Sequence, residues 1–334
     1  MMEQPPKLLL LLGHGRFIFD ASDGDMFNPV SSQGKAISDF MVLTLSIGLF
    51  VTLLVSGLVT WAVIKYRRTA RTTEGEPKQF SGNLRLEIGW TLVPALLLVV
   101  LSIITLDVMA KSDPTVPDQA QPDIVLTGWQ WWWEYSYPKL NIITANELHI
   151  PQGKQLLLQM TGGDVIHDFW IPALGRKKDM LPGQINKLYI QSDKVGTYLG
   201  ACAEYCGGNH AWMLLKAIVE PEAQFNTWAQ SQSKPVAAPT DPALVKGSQV
   251  FLNNTCVSCH AIAGTTAQAK VGPNLSHLGG RTTLGAGVID NNPDNLRNWI
   301  KNAASYKPGI QMPAYQQLTE DDLQALVKYL EALK

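Results

Sequence analysis

Two long windows without a charged side chain set the first limit on how this chain can fold. Phe40 to Ile64 is 25 residues long, bounded by Asp39 on one side and by Lys65, Arg67 and Arg68 on the other. At about 1.5 Å per residue it crosses a bilayer core of about 30 Å with some tilt. The second window, Ile88 to Leu106, has 19 residues between Glu87 and Asp107, and Pro94 falls in its first two turns, where a missing N–H costs least. One such window fits a buried core helix or a signal sequence equally well; two, separated by 23 residues, read as a transmembrane hairpin. Charged residues make up only 16% of the 334, against about 25% in ordinary soluble proteins, which agrees with membrane-embedded length. The stretch between the windows carries Lys65, Arg67, Arg68, Arg71, Lys78 and Arg85 against Glu74 and Glu76. The positive-inside rule puts it in the cytoplasm and everything after Leu106 outside. A net charge of -1 gives no basic field to attract a phosphate backbone, which argues against nucleic acid as a partner.

The rest of the chain divides by pattern. Residues 1–37 hold a short apolar run, Leu8 to Leu12 behind Lys7, read as the remnant of a signal peptide. The hairpin occupies 38–110. Over 111–228 come short β-rich runs punctuated by Gly and Pro: Asp123 to Leu126, Lys154 to Met160, Val165 to Trp170, Lys187 to Ser192 and Leu214 to Val219. That spacing predicts a β-sandwich or barrel. Residues 229–242, rich in Ser, Pro and Ala, read as an extended linker, and 243–334 turns helical at Leu244 to Asn253, Pro293 to Asn302 and Thr319 to Leu333.

The four cysteines form two tight pairs, too few and too clustered for a disulfide framework. Cys202, Cys206, His210 and Met213 lie within 12 residues, and His167 follows a strand-like run upstream. Thiolate and thioether are soft ligands that favour copper, and a thioether is seldom a zinc ligand. A structural Cys2His2 zinc site and a disulfide with bystander His and Met remain as alternatives at this point. Two cysteines with two His and a Met are enough ligands for two copper ions sharing the thiolates.

The segment from Cys202 to Met213, joined by Asp164-Val-Ile-His167-Asp-Phe-Trp-Ile-Pro172, resembles the dinuclear copper centre of cytochrome c oxidase subunit II. The resemblance implies a cupredoxin-like fold and, as ligands, Cys202, Cys206, His167, His210, Met213 and the main-chain carbonyl of Glu204. It also implies that the Glu204 side chain reaches a magnesium ion at the border with subunit I. Leu86-Glu87-Ile-Gly-Trp90-Thr-Leu-Val-Pro94 is similar to the start of the family's second helix, which would put Glu87 at a cytoplasmic proton-entry point. Glu87 is equally an interfacial acid that merely ends the helix. The aromatic run Gly128 to Tyr137 reads from composition as core or interfacial belt. It resembles the family's Gly-His-Gln-Trp segment, which maps the Trp that takes electrons from cytochrome c onto Trp131. This chain departs from the pattern at Trp129, where His is usual, and at Pro182-Gly183-Gln184, where Arg commonly ends the triplet.

Cys256-Val-Ser-Cys259-His260 is the most specific motif: two thiols at this spacing add to the haem vinyls, and the adjacent His ligates iron. Met312, the only methionine after the linker, lies in a Pro-flanked segment 52 residues beyond His260 and is the better candidate for the sixth iron ligand. The alternative, His277, lies in Gly272-Pro-Asn-Leu-Ser-His277, which resembles the proximal loop of class I cytochromes c. There the Pro273 carbonyl would orient His260, and His277 would be a surface or propionate-side residue. His14 and His149 have no partner at ligand spacing and read as structural or surface residues.

Together these readings imply a multidomain chain with a two-helix transmembrane hairpin, a cupredoxin-like β-barrel or sandwich and an all-α class I cytochrome c domain. The implied function is the electron-entry subunit of a proton-pumping oxidase in a bacterial inner membrane, with the copper and haem domains on the periplasmic side. Electrons would pass from one covalent c-type haem to the copper pair near Trp131 and on to subunit I. The implied partners are subunits I and III, the lipid bilayer, and a cytochrome c or bc-type complex as donor. A copper-containing nitric oxide reductase subunit and a stand-alone membrane-tethered electron carrier are the rival readings. Residues 243–334 carry a net charge of +2 and 118–222 a net of -3, a weak complementarity. A linker of about a dozen residues reaches about 20 Å and gives a millimolar effective concentration, so strong charge attraction between the two domains is unnecessary.

Overall fold

The computed structural model describes residues 25–67, 81–117 and 119–334. Leu8 to Leu12, His14, Arg71 and Lys78 lie outside the described residues.

Both apolar windows lie inside longer helices, α1 (Ser32–Tyr66) and α2 (Leu84–Ser112). Their faces are apolar all round, with Leu49, Leu53 and Val63 of α1 and Leu86, Val93 and Leu98 of α2 exposed. Such a surface is stable only against lipid or another protein. The Asn83 side chain caps α2, its Oδ1 accepting the Arg85 and Leu86 amides at 3.1 and 3.3 Å. The cap starts the helix four residues before the uncharged window. Pro94 is therefore an interior residue, not a first-two-turns one as the sequence suggested, and it leaves the Trp90 carbonyl without its intrahelical donor.

The β-rich part is a sandwich of two five-stranded sheets. In the first the spatial order is β3 (Ile142–Ala145), β2 (Trp132–Tyr137), β1 (Ile124–Trp129), β5 (Leu156–Gly162) and β8 (Asn186–Ile190). In the second it is β4 (Glu147–Pro151), β10 (Leu214–Glu220), β9 (Gly196–Cys202), β6 (His167–Trp170) and β7 (Lys178–Met180). Alternation decides the faces: Ile124 and Leu126 of β1 and Leu215, Ala217 and Val219 of β10 turn inward, and their neighbours outward. Trp133, Tyr135, Tyr137, Phe169 and Met160 fill the space between the sheets.

Helix α3 (Glu222–Gln232) closes one end of the sandwich, its Trp228 ring stacked on His149 with centroids 4.1 Å apart. His149 also pairs with Glu220 at 3.0 Å, the structural role read for it. The stretch expected as linker thus begins helical, and further on it is tied down, the Val236 amide donating to the Ala263 carbonyl at 3.0 Å.

The C-terminal part packs α4 (Pro242–Asn253), α5 (Pro293–Asn302) and α6 (Glu320–Ala332) around Phe251, Leu296, Ile300, Leu323, Leu326 and Leu330. Each helix opens on a side-chain cap, Asp241, Asn292 or Thr319. Three acids in the first turn of α6 complement its dipole. A two-stranded ribbon, β11 (Thr283–Leu284) with β12 (Ile289–Asp290), lies between the haem motif and α5.

Candidate metal centres

The copper motif sits where β9 and β10 meet. Pairing of Leu214 with Ala201 and a 2.9 Å bond from the Cys202 amide to the Met213 carbonyl close the intervening segment into a loop. Cys202 lies on the last residue of β9, Met213 just before β10, and Cys206 and His210 in the loop between them. Strand β6 runs beside β9, pairing Phe169 with Cys202, and so brings His167 to the same end.

The donor atoms converge there. Cys202 and Cys206 Sγ are 3.7 Å apart. His167 Nδ1 lies 3.9 Å from Cys202 Sγ and His210 Nδ1 3.6 Å from Cys206 Sγ. Met213 Sδ is 3.8 Å from Cys206 Sγ, and the Glu204 carbonyl is 3.2 Å from Cys202 Sγ. Cys202, Cys206, His167 and Met213 are buried, His210 is half-buried, and the Glu204 side chain is exposed. All six sequence-predicted donors are brought together. Three sulfurs, two imidazole nitrogens and a carbonyl oxygen make a soft set that fits copper.

The electrostatics of the thiol pair point to a cation. Hydrogen bonding from Cys206 pulls the Cys202 thiol down to about 3, and the same bond pushes Cys206 well above the usual thiol range. Two thiolates this close repel, so ionising both requires positive charge between them. Burial lowers the His167 pKa, but the Cys202 sulfur and the Asp164 carboxylate raise it more, leaving it above the ordinary imidazole value. Asp164 fixes the ring: its Oδ1 meets His167 Nε2 at 2.9 Å, which turns Nδ1 toward the sulfurs. Its Oδ2 accepts the Gln130 amide at 2.7 Å. Gly128 makes room for the imidazole, since a Cβ there would lie 2.9 Å from His167 Cδ2.

Trp131 is half-buried in the turn between β1 and β2, its indole N–H donating to the Cys206 carbonyl at 3.0 Å. Gln130 Nε2 donates to the same oxygen at 2.7 Å. Trp133, Tyr135 and Tyr137, not Trp131, are the fully buried members of the aromatic run. Glu87 stands exposed in the first turn of α2.

In the helical part, Cys256 and Cys259 are half-buried thiols, the first inside a short 3-10 turn (Thr255–Ser258) and the second just after it, and His260 Nδ1 donates to the Pro273 carbonyl at 2.8 Å. That bond puts the ring proton on Nδ1 and leaves the Nε2 lone pair free. Burial holds the His260 pKa below its ordinary value, so the ring is the neutral form that ligates iron. Gly272 lies against this ring, where a Cβ would come 2.7 Å from Cε1. Arg281 Nε is buried with no partner among the described residues, and burial draws its guanidinium down to about 10. Two thiols, a free imidazole nitrogen and an orphaned guanidinium N–H fit a covalent haem with propionates. Met312 is half-buried against the same core. His277 is 6% exposed, with neither ring nitrogen partnered among the described residues, so of its two expected places, surface or propionate side, the surface one is corrected.

Sequence reasoning missed Lys307, which is 2% exposed. Its Nζ donates to the carbonyls of Trp131, Trp212 and Gly285 at 2.8, 3.0 and 2.9 Å. Burial lowers its pKa to about 7, while three carbonyls answer the three N–H groups of the charged form. Nothing in the local sequence marks this lysine, because its partners are backbone atoms supplied by two domains.

Comparison with known proteins agrees with this geometry. The family described as "Cytochrome C oxidase subunit II, transmembrane domain" matches residues 24–108, its "periplasmic domain" counterpart matches 140–220, and "Cytochrome c" matches 244–334. Cytochrome c oxidase subunit 2 of Alkalihalophilus pseudofirmus is 36% identical over 312 residues, covering 92% of this chain and 90% of that protein. Its counterpart in Bacillus sp. strain PS3 is 36% identical over 289 residues, 80% of each chain. The solved periplasmic domain of subunit II of cytochrome oxidase from Bradyrhizobium japonicum is 34% identical, with a TM-score of 0.34, over 35% of this chain and 96% of that one. Relatedness that runs through the hairpin, the sandwich and the helical domain alike leaves one conclusion: the chain belongs to the cytochrome c oxidase subunit II family.

Proposed function

We propose that this membrane-anchored electron-entry subunit holds a c-type haem on Cys256, Cys259, His260 and Met312. A copper pair is held by His167, Cys202, Cys206, His210, Met213 and the Glu204 carbonyl. When bound, these groups supply the one-electron chemistry, from haem to copper and then to the oxygen-reducing site of a proton-pumping oxidase. The chain's own residues hold and orient them. Asp164 and Pro273 fix the ligand imidazoles, the sandwich core excludes water from the thiols, and Trp131 is the electron-entry residue through its bond to the Cys206 carbonyl. The convergence of all six copper donors in one pocket, with Trp131 hydrogen-bonded to that loop, carries the reading.

The further parts of the proposal rest on the family likeness. The Glu204 side chain, exposed beside the ligand loop, is assigned to a magnesium site at subunit I. Glu87 is assigned to proton entry at the cytoplasmic end of α2. Subunit III and a cytochrome c or bc-type donor complete the assembly, with both soluble domains on the periplasmic side of the inner membrane.

Electron paramagnetic resonance tests the copper assignment. The loaded protein should show the delocalised two-copper signal, and Cys202→Ser or Cys206→Ser should abolish it. A wild-type protein that takes up one zinc and no copper would overturn the proposal. In vesicles the assembled oxidase should consume oxygen with proton release; nitric oxide consumption without it would favour the reductase reading instead.

A further inference from the structure

A tether that merely keeps two domains close leaves their relative pose undefined, and the sequence promised no more. The contact between the sandwich and the helical domain is of another kind. It contains two buried charges, and each is matched by polar groups across the boundary. Glu147, at the start of β4 and 2% exposed, accepts through Oε1 from the Thr282 and Thr283 amides at 2.8 and 3.2 Å. The same oxygen accepts from the two threonine hydroxyls at 2.5 and 3.4 Å. Lys307, from the helical domain, gives two of its three hydrogen bonds to sandwich carbonyls, those of Trp131 and Trp212. Between the charges, Asn209 Nδ2 donates to the Pro308 carbonyl at 2.7 Å and the Leu214 amide to the Ala286 carbonyl at 3.0 Å.

Such charges do little for raw affinity, because drying them costs about what their partners return. They select a pose. Any slid or rotated docking would bury an ammonium or a carboxylate without partners, at a cost of several kcal/mol. What is selected also bears on the redox groups. Lys307 and Pro308 begin the segment that carries Met312, and their partners Trp131, Asn209 and Trp212 flank the copper ligands Cys206, His210 and Met213.

We propose that Lys307 and Glu147 are positioning residues that register the helical domain on the sandwich in one pose, making transfer between the two redox groups a fixed-distance step instead of an encounter between tethered domains. This rests on the electron-transfer reading above.

Hydrogen exchange followed by mass spectrometry on the assembled, metal-loaded oxidase tests it. Peptides covering 211–217 and 279–287 contain the interdomain amides of Leu214, Thr282 and Thr283, and a peptide covering 196–202 reports the sandwich core. In the wild type the three interdomain amides should be protected. Lys307→Met, and separately Glu147→Gln, should speed their exchange about tenfold while the 196–202 peptide and both metal spectra stay unchanged. Flash-induced haem-to-copper transfer should pass from a single exponential to a spread of rates in Lys307→Met. Wild-type amides that exchange like open loops would refute the registered pose, whatever the variants do. Protected amides in a wild type showing no haem-to-copper transfer would leave the pose standing and remove the electron-transfer reading.

Discussion

Asp164 is the side chain whose replacement most directly tests how the copper pocket is held. Its carboxylate meets His167 Nε2 at 2.9 Å and the Gln130 amide at 2.7 Å, so one group ties a ligand ring to the turn that carries Trp131. Asp164→Asn keeps the shape but leaves a single acceptor oxygen. Its amide nitrogen then faces either the Gln130 amide or the His167 ring together with the Val165 amide, which also donates to Oδ1 at 2.7 Å, and that side goes unpaired. A hydrogen bond to a charged group contributes about 1.5 to 3 kcal/mol. At about 1.4 kcal/mol per tenfold this is about a tenfold to hundredfold loss of copper affinity, the range common when the outer partner of a metal-bound His is removed. Competition with a chelator of known affinity measures the loss on the full-length protein, and the haem spectrum serves as internal control. Asp164→Ala, which removes both acceptors, should lose more than Asp164→Asn. Copper affinity within twofold of wild type in both variants, with an unchanged two-copper resonance, would show that Asp164 does not hold His167.

Two further outcomes are expected. Met312→Ala should lower the haem reduction potential and open the iron to carbon monoxide, because a thioether favours ferrous iron; an unaltered sulfur-to-iron charge-transfer band would exclude Met312 as ligand. Burial raises the Asp123 pKa, but the Leu157 amide and the Lys139 ammonium lower it more, leaving it below the ordinary carboxylate value. The unfolded chain then binds the extra proton first, so the stabilisation is complete above the ordinary value and is lost progressively as pH falls below it. Asp123→Asn should cost about 1 kcal/mol at neutral pH and flatten that acid limb, and an identical slope in acid titrations of metal-free variant and wild type would rule this out.

What could be read in advance depended on how local the information was. Cys202 to Met213 supply five of the six proposed copper donors within one loop, and Cys256 to His260 is a contiguous motif of the haem-binding type, so both proposals could be drawn from spacing and likeness. The uncharged windows gave the helices because lipid demands unbroken apolar length, but their ends depended on Asn83, a single cap no hydropathy window detects. Strands β2, β3, β4, β7 and β9 were not marked. The aromatic run hid β2's alternation, and Gly196 to Cys202 carries two glycines and the adjacent small residues Ala201 and Cys202 where a strand is expected to show branched side chains. Lys307 and Glu147 were invisible for a different reason. Their partners come from residues more than 90 positions away on at least one side, and a charged residue alone in a sequence is ordinarily a solvated one.

The position of Glu147 has a consequence for solubility. Strand β4 pairs only with β10 and so forms the outer margin of its sheet. A margin of this kind offers unpaired backbone groups to any neighbouring chain and is a common starting point for self-association. The first residue of that margin, Glu147, is held through its side-chain carboxylate by Thr282 and Thr283 of the same polypeptide. A chain ending after Gln232 would therefore present, on the first residue of an edge strand, a carboxylate stripped of its partners.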